Sequence, residues 1–319
     1  MKRILVCGSS GFIGSNLVDK LQKEGNFVIG VDIEKPKYSK PNEFVNWDMR
    51  MEWSSNCDKM EISEGVDEAY CLACLMGGMG YIGDEEKYGY DIAIGSSKII
   101  INFIELCNWY KISKVFYSSS ACVYNQELQT KTNVVALKES DAIPASPDLL
   151  YGWQKLYAEI MFKASGLNYR IARFHNVFGK WGAYDGGKEK APAAMIRKVC
   201  TVKDGGNIEV WGTGYQTRSF LHIDEALEGV ERLMNSEYKE PINIGSDELV
   251  TINQLAQMAI DISGKKLSIK NISGNVGVMG RNSENSLIEK VLGWRPTKKL
   301  YDGLKETYSW VNEQINGRM

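Results

Sequence analysis

The chain has 319 residues, of which 44% are hydrophobic and 24% are charged, and its formal net charge at pH 7 is -2. This length allows one large α/β domain or two lobes with a substantial core. The well-mixed charges exclude a basic stripe for nucleic acid, and no apolar run is long enough to span a membrane.

Short β-branched runs alternate with longer helical patterns through the first half of the chain. The predicted strands are Arg3–Cys7, Phe27–Asp32, Phe44–Trp47, Glu68–Ala73, Val115–Ser119 and Arg170–Phe174. The predicted helices are Ile13–Lys23, Tyr90–Tyr110 and Tyr151–Ala164. This alternation predicts an α/β protein with a Rossmann-type, doubly wound parallel sheet that helices cover on both faces.

The second half is more irregular, with glycine-rich loops and two amphipathic helices, Asp224–Asn235 and Thr251–Ser263. We therefore expect a first domain over residues 1–177 and a smaller lobe over 178–319. No repeat and no low-complexity linker separates them, so the sequence predicts that the two parts interleave.

A glycine motif follows the first strand directly and opens the first helix. Gly8, Gly11 and Gly14 form G-S-S-G-F-I-G, with Phe12 and Ile13 before the last glycine. Glycines at such a turn let the backbone approach a pyrophosphate, which binds at the helix N-terminus. The motif and its position predict a dinucleotide site.

Asp32 ends the second predicted strand, 18 residues beyond Gly14. A carboxylate there can accept hydrogen bonds from the adenosine ribose hydroxyls and would repel a 2′-phosphate. The sequence therefore favours NAD over NADP. The alternative interpretation of Asp32 is a solvated loop residue.

Tyr151 and Lys155 form a Y-x-x-x-K motif and share one face of a predicted helix. A lysine ammonium beside a phenol stabilises the phenolate, which lets tyrosine act as a base. Upstream lies the strand end S-S-S-A-C-V-Y over Ser118–Tyr124. Together with the glycine motif, this resembles the extended short-chain dehydrogenases/reductases, the NAD-dependent epimerase/dehydratase family. The resemblance implies that Ser120, Tyr151 and Lys155 remove a hydroxyl proton while hydride moves to NAD.

Further motifs resemble the GDP-mannose 3,5-epimerases of that family over nearly the whole length. They are MGGMG (Met76–Gly80), RFHNVFG (Arg173–Gly179), GGKEKAPAA (Gly186–Ala194), WGTGYQTRSF (Trp211–Phe220), INIGSDE (Ile242–Glu248) and GRNSEN (Gly280–Asn285). The resemblance implies a homodimer and a GDP-sugar substrate, with Asp48 near the adenine of the cofactor. The substrate contacts it implies are Gly77, Ser120, Cys122, Asn176, Glu189, Lys190, Ala191, Lys198, Gln216, Thr217, Arg218 and Arg281. The sequence departs from plant members at Leu75, which replaces an acidic residue, and at Met279, which replaces a basic one.

Inversion at C3 and C5 of a sugar requires transient oxidation at C4 and an acid/base pair. Cys122 follows Ser120 by two residues, so alternation along an extended segment predicts that both face one cavity. Lys190 lies in the loop GGKEKAP, where burial would lower its pKa. The resemblance assigns proton exchange to this pair. The alternatives are a buried hydrophobic cysteine and a surface lysine.

Arg218 and Arg281 offer planar donors of the kind that a diphosphate requires. Three other functions stay open: a 4-epimerase, a dehydratase of the same family, or a non-catalytic NAD-sensing regulator. A dehydratase usually carries Asp-Glu after the hydroxyl residue, where this chain has Ala121 and Cys122. A sensor would not need Ser120, Tyr151 and Lys155.

The cysteines predict a reducing compartment. There are seven, an odd number without a disulfide framework: Cys7, Cys57, Cys71, Cys74, Cys107, Cys122 and Cys200. With no predicted signal peptide, they indicate free thiols and a cytoplasmic location. Cys71 and Cys74 form a C-x-x-C that we interpret as two small hydrophobic residues at the end of a buried strand. Since only His175 and His222 could add imidazole ligands, we expect no structural metal.

Overall fold

Six parallel strands from the first half form the centre of the fold. They are β1 (Arg3–Cys7), β2 (Phe27–Asp32), β3 (Glu43–Asn46), β4 (Glu68–Cys71), β5 (Lys114–Ser120) and β6 (Tyr169–Phe174). Their spatial order is β3-β2-β1-β4-β5-β6, and every neighbouring pair is parallel. The order reverses between β1 and β4, where doubly wound folds bind ligands. The predicted Rossmann-type sheet is thus confirmed in this computed structural model, which describes residues 1–52 and 65–317. Cys57, predicted to be a free thiol, lies outside the described residues.

The helices of the first half connect these strands. They are α1 (Phe12–Lys23), α2 (Met79–Ile82), α3 (Glu85–Tyr90), α4 (Ser96–Trp109) and α5 (Leu150–Ala164). The continuous helix predicted over Tyr90–Tyr110 is wrong in its first turn, where Asp91–Gly95 forms a π-helical turn. The helix there approaches the loop after β4, since a Cβ on Gly95 would lie 2.7 Å from Leu75 Cδ1.

The second half adds a smaller set of elements. The strands are β7 (Val177–Phe178), β8 (Asn207–Trp211), β9 (Thr217–Ser219), β10 (Leu221–His222), β11 (Ile242–Ile244), β12 (Leu249–Thr251), β13 (Ser268–Ile272) and β14 (Gly280–Arg281). The helices are α6 (Ala191–Thr201), α7 (Ile223–Met234), α8 (Ile252–Ser263), α9 (Ser286–Leu292) and α10 (Leu300–Asn316). β11 pairs in parallel with β6 and becomes the seventh strand of the central sheet. The chain therefore returns to the first part after leaving it.

The alternation of side chains in β1 shows how the central sheet is covered. Ile4 and Val6 pack on one face with Leu17 of α1, and Leu5 packs on the other with Phe103 of α4. Each such burial contributes about 1.5–3 kcal/mol, so both faces need helices. A third apolar cluster joins α6, α8 and α10 in the second part. Among the described residues, no helix is long and apolar enough to cross a membrane.

Candidate active site

The glycine-rich turn brings three chain segments into close contact at the carboxyl end of β1. Gly8 has φ +87, and a Cβ on it would lie 2.5 Å from the backbone N of Ala73. A Cβ on Gly14 would lie 1.9 Å from the carbonyl oxygen of Gly8. Gly11 is the N-cap of α1 and gives that helix no side-chain cap. The uncapped helix N-terminus behind a turn that admits no side chain fits a pyrophosphate.

Asp32 is fixed beside this turn. Its Oδ2 accepts a hydrogen bond from the backbone N of Ser10 at 2.9 Å, and its Oδ1 accepts one from Glu34 at 3.0 Å. Asp48 follows β3 and binds Arg50 with both oxygens, which holds the pKa of that carboxyl below its ordinary value. The turn, the helix end and Asp32 together fit NAD.

Ser120, Tyr151 and Lys155 meet at the carboxyl end of β5. Ser120 ends the strand, and the other two lie one turn apart at the start of α5. Lys155 is 2% exposed and donates to Ser118 O at 2.7 Å. Its Nζ lies 5.7 Å from the ring centroid of Tyr151.

The pKa of Tyr151 is raised well above its ordinary value. Burial is the main cause, Cys74 and Cys122 raise it further, and a hydrogen bond with Ser120 lowers it. Lys155 donates one hydrogen bond to the carbonyl of Ser118. Stabilisation of the phenolate by the ammonium of Lys155 stays a prediction.

Cys122 reaches the same cavity by a different route from the predicted one. The extended segment stops at Ser120, and Ala121–Val123 forms a short 3-10 helix whose N-cap is Ser120. Ser120 Oγ accepts a hydrogen bond from the backbone N of Cys122 at 3.2 Å. The alternation argument was therefore wrong, and it is this tight turn that keeps the two residues together. A Cβ on Gly152 would lie 2.2 Å from the carbonyl oxygen of Cys122, so α5 packs directly against the turn.

The guanidinium of Arg281 contacts the Cys122 thiol. Its Nη1 lies 3.1 Å from Cys122 Sγ, its Nη2 lies 2.8 Å from Asp148 Oδ2, and its Nε donates to Gln129 Oε1. Burial alone would lower the pKa of Arg281, but Cys122 and Asp148 outweigh burial and raise it. The sequence predicted a substrate contact for Arg281, and the structure adds this contact with the thiol.

Lys190 stands at the N-terminus of α6, in a loop that packs against the segment after β4. A Cβ on Gly78 would lie 2.2 Å from Glu189 O, and a Cβ on Gly77 would lie 3.3 Å from Lys188 Cα. The pKa of Lys190 is lowered mainly by burial, against the opposing influence of Cys122. The predicted direction of this shift agrees with the structure.

Arg218 points toward the same region from β9. It donates to the backbone oxygens of Thr217, Val276 and Val278 and forms no ion pair with the described residues. The pKa of Arg218 is lowered to about 10. Burial is the main cause, and the charge of Arg281 lowers it further. A half-buried guanidinium repelled by a second guanidinium is an environment that an anion would stabilise.

Four other predicted substrate contacts use their side chains to hold backbone carbonyls. The pairs are Asn176 with Ser219, Lys198 with Glu209, Gln216 with Trp211, and Thr217 with Thr132. Ala191 is the first residue of α6. These hydrogen bonds stabilise the second part around β9 and α6. The contacts of these residues with substrate stay predictions.

Three residues of the cavity were missed from the sequence. Gln129 ends a short 3-10 helix over Gln126–Gln129 and Asp148 lies in the segment before α5, and no sequence pattern connects either residue with Arg281. Cys74 was interpreted as a hydrophobic residue at a strand end, which holds for Cys71 only. β4 ends at Cys71, and the half-buried Cys74 acts electrostatically on Tyr151.

In the part of the chain that the structure describes, one group of side chains has the spacing of metal ligands: His222, Asp224 and Glu306. Lys298 Nζ lies among them, 2.8 Å from Glu306, 3.2 Å from His222 and 3.4 Å from Asp224. This ammonium already forms ion pairs with both carboxylates. The absence of a structural metal stays a prediction.

Comparisons with known proteins agree with this geometry. The model of the NAD dependent epimerase/dehydratase family matches residues 4–245. GDP-mannose 3,5-epimerase of Arabidopsis thaliana is 44% identical over 321 residues, which cover 98% of this chain and 83% of that protein. GDP-mannose 3,5-epimerase 1 of Oryza sativa subsp. japonica is 43% identical over 321 residues, covering 98% of this chain and 82% of its own length.

A solved structure has the same fold. UDP-glucose 4-epimerase of Thermotoga maritima, in complex with UDP-glucose, matches 98% of this chain and 99% of its own with a TM-score of 0.82. Its sequence identity is 23%, so this likeness concerns the fold alone.

Proposed function

The chain belongs to the NAD-dependent epimerase/dehydratase family, and from this premise we propose that it is a nucleotide-sugar epimerase that inverts GDP-mannose at C3 and C5. One observation carries the proposal: Cys122 and Tyr151 pack in one buried cluster, and Lys190 lies within electrostatic range of Cys122. Inversion at two carbons beside C4 needs two proton-transfer groups in addition to the tyrosine. The identity of 43–44% to GDP-mannose 3,5-epimerases supports the choice of sugar.

The first half of the mechanism uses the carboxyl end of the sheet. NAD bound at the turn Gly8–Gly14 and Asp32 would supply reversible hydride acceptance at C4 of the sugar. Tyr151 accepts the proton of the C4 hydroxyl, and Ser120 stabilises the deprotonated phenol through its hydrogen bond. Lys155 holds the carbonyl of Ser118 and so fixes the end of β5 beside Tyr151. The turn at Gly8–Gly14 and Asp32 bind the cofactor.

The second half exchanges protons at the carbons beside C4. A ketone at C4 makes the C–H bonds at C3 and C5 removable, because the resulting carbanion is an enolate. Cys122 and Lys190 take a proton from one face of the ring and deliver one to the other. The lowered pKa of Lys190 supports this role, since more of its amine is neutral and able to accept a proton.

Arg218 supports a diphosphate in the second part. Its guanidinium is held by three backbone carbonyls, so it keeps a fixed direction while its charge stays unbalanced. An anion bound there would offset the repulsion between Arg218 and Arg281. On this basis residues 1–177 hold the cofactor, and residues 178–319 hold the nucleotide sugar.

The alternatives explain fewer of these contacts. A 4-epimerase needs no acid/base pair for the carbons beside C4, so the reaction would not use Cys122 and Lys190. A dehydratase would need an acidic pair where Ala121 and Cys122 stand. A non-catalytic NAD sensor would leave Tyr151 without a task.

We also propose a homodimer through the outer faces of α4 and α5. Trp153, Tyr157 and Ile160 follow one face of α5 and are 48%, 58% and 55% exposed. Ile101 on α4 is 43% exposed. Four helices from two copies would bury these side chains. A monomeric mass in light scattering at micromolar concentration would refute the dimer.

The six described cysteines are free thiols, which supports a cytoplasmic location.

The test of the reaction is turnover of GDP-mannose in deuterated water, followed by mass spectrometry and NMR. We expect deuterium at C3 and C5, epimerised products and no need for added reductant. Inversion at C4 without deuterium would indicate a 4-epimerase, and loss of water would indicate a dehydratase. Stoichiometric release of free NADH would indicate a dehydrogenase, and retention of NAD without turnover a sensor.

A further inference from the structure

The Cys122 thiol lies at one end of a buried chain of side chains. Arg281 contacts Sγ with Nη1 and uses Nη2 to reach Asp148 Oδ2 at 2.8 Å. Gln129 accepts the hydrogen bond from Nε. Each of the three nitrogens of the guanidinium therefore contacts its own acceptor. These contacts fix the direction of Nη1 toward the thiol.

Asp148 is the only described residue that forms an ion pair with Arg281. The side chains of Asp148 and Arg281 are 9% and 7% exposed. The second carboxylate oxygen, Oδ1, is buried and accepts no hydrogen bond from the described residues. The negative charge of Asp148 is thus directed at Arg281, which makes this a pair in a low-dielectric setting.

A group that both removes and delivers a proton must not be held in one charge state. A buried guanidinium 3.1 Å from Sγ attracts negative charge, and a carboxylate on the far side of the guanidinium weakens that attraction. Cys122 also lies within electrostatic range of Tyr151, Lys190 and Arg218. Among these neighbours, the Asp148–Arg281 pair alone contributes a carboxylate.

We propose that Asp148 is a positioning residue that acts through Arg281 on Cys122: it orients the guanidinium and offsets its charge, so that the thiol can give back the proton it takes. This inference rests on the proposed proton exchange by Cys122. Asp148 also lies three residues before Tyr151, on the segment that leads into α5. The short segment from Asp148 to Tyr151 therefore contributes both to the proton exchange at Cys122 and to the proton transfer at Tyr151.

The test compares the wild type with Asp148→Asn, whose amide oxygen can still accept from Nη2. Without the carboxylate charge, the attraction of Arg281 for negative charge on Cys122 Sγ is no longer offset. We expect iodoacetamide to alkylate Cys122 at least about threefold faster at pH 7, in protein without substrate. Peptide mass spectrometry separates the Cys122 adduct from adducts at other cysteines.

In turnover, we expect Asp148→Asn to slow deuterium incorporation at C3 and C5 by about tenfold. Oxidation at C4, followed as enzyme-bound NADH absorbance, should stay at the wild-type rate. Asp148→Glu should restore part of the exchange. Glu159→Gln is the matched control, because Glu159 also forms a buried pair with an arginine, Arg173, away from the thiol. It should change neither the alkylation rate nor the ratio of exchange to oxidation.

Alkylation of Cys122 at the wild-type rate or slower in Asp148→Asn would overturn the proposal. So would equal losses of exchange and oxidation, because a structural role would produce them. Alkylation does not depend on the sugar. If the wild type fails to exchange deuterium on GDP-mannose, the proposed function fails, and the alkylation comparison still decides the role of Asp148.

Discussion

The cofactor region and the proton-exchange region are built in different ways. Around Gly8, Gly14 and Asp32, the backbone and one carboxylate form the site, and all three residues belong to the β1-α1-β2 unit at the start of the chain. Around Cys122, side chains from distant segments form the site: Arg281 lies 159 residues away in sequence. A site made by the backbone tolerates side-chain changes around it, whereas a site made by side chains depends on each partner.

The largest effect should come from Tyr151→Phe, which removes the proton acceptor shared by both regions. Without a ketone at C4, neither hydride transfer nor epimerisation proceeds, so both should fall below detection. Bound NADH absorbance and NMR of the products measure the two steps. Tyr157→Phe, on the exposed side of the same helix, is the control and should keep wild-type rates. Exchange that survives in Tyr151→Phe would mean that the two regions work independently.

Cys122→Ala should separate the regions. Oxidation at C4 should continue, while deuterium incorporation at C3 and C5 should fall by about 10²–10⁴-fold, since one of the two proton-transfer groups is lost. Cys74→Ala removes the other thiol that acts on Tyr151 and should keep exchange close to the wild-type rate. Wild-type exchange in Cys122→Ala would show that this thiol only packs, and the 3,5-epimerase proposal would lose its main support.

Lys190→Arg keeps a positive charge but removes the base, and we expect a loss of exchange of about 10²-fold. Since burial lowers the pKa of Lys190, its neutral amine appears at a lower pH than in an ordinary lysine. Wild-type exchange should therefore rise with pH and level off below the ordinary pKa of lysine. Lys188→Arg, in the exposed part of the same loop, is the matched control. A profile that falls through this pH range would assign the base to another residue.

The contrast between the regions also explains what could be predicted from the sequence. The strands Arg3–Cys7 and Phe27–Asp32 were predicted at their observed bounds, because apolar strands and glycine turns are local patterns. Cys122 was placed in the right cavity by a wrong argument, since the turn after Ser120 depends on packing against α5. No sequence pattern indicated a role for Asp148, because its partner Arg281 is 133 residues away in the chain.

The smallest effect concerns stability outside both regions, where the chain leaves β6 beside β11. His175 is fully buried, and its Nε2 lies 2.9 Å from Oδ1 of Asn243 in β11. Burial lowers the pKa of His175 to about 3, so the folded protein keeps it neutral. The unfolded chain takes up a proton below pH ~6.5, and the free energy of unfolding should therefore fall as the pH drops from ~6.5 toward 3.

One such proton contributes a slope of at most about 1.4 kcal/mol per pH unit. Urea unfolding at pH 7, 6 and 5 should show this slope in the wild type and a shallower one in His175→Gln. Carboxylates that titrate in both proteins contribute equally to both slopes, so the difference between the slopes reports His175 alone. Equal slopes would mean that His175 is protonated in the folded protein.

The close packing of α5 against the turn at Cys122 bears on how related chains are recognised. Any side chain at position 152 would have to displace the Cys122 carbonyl, which a Cβ there would approach to 2.2 Å. A variant library at Gly152 should therefore return glycine alone among active clones. For chains that carry a proton-transferring cysteine after the strand, the useful search pattern is then Y-G-x-x-K, which is narrower than Y-x-x-x-K and excludes most chance matches on helix surfaces.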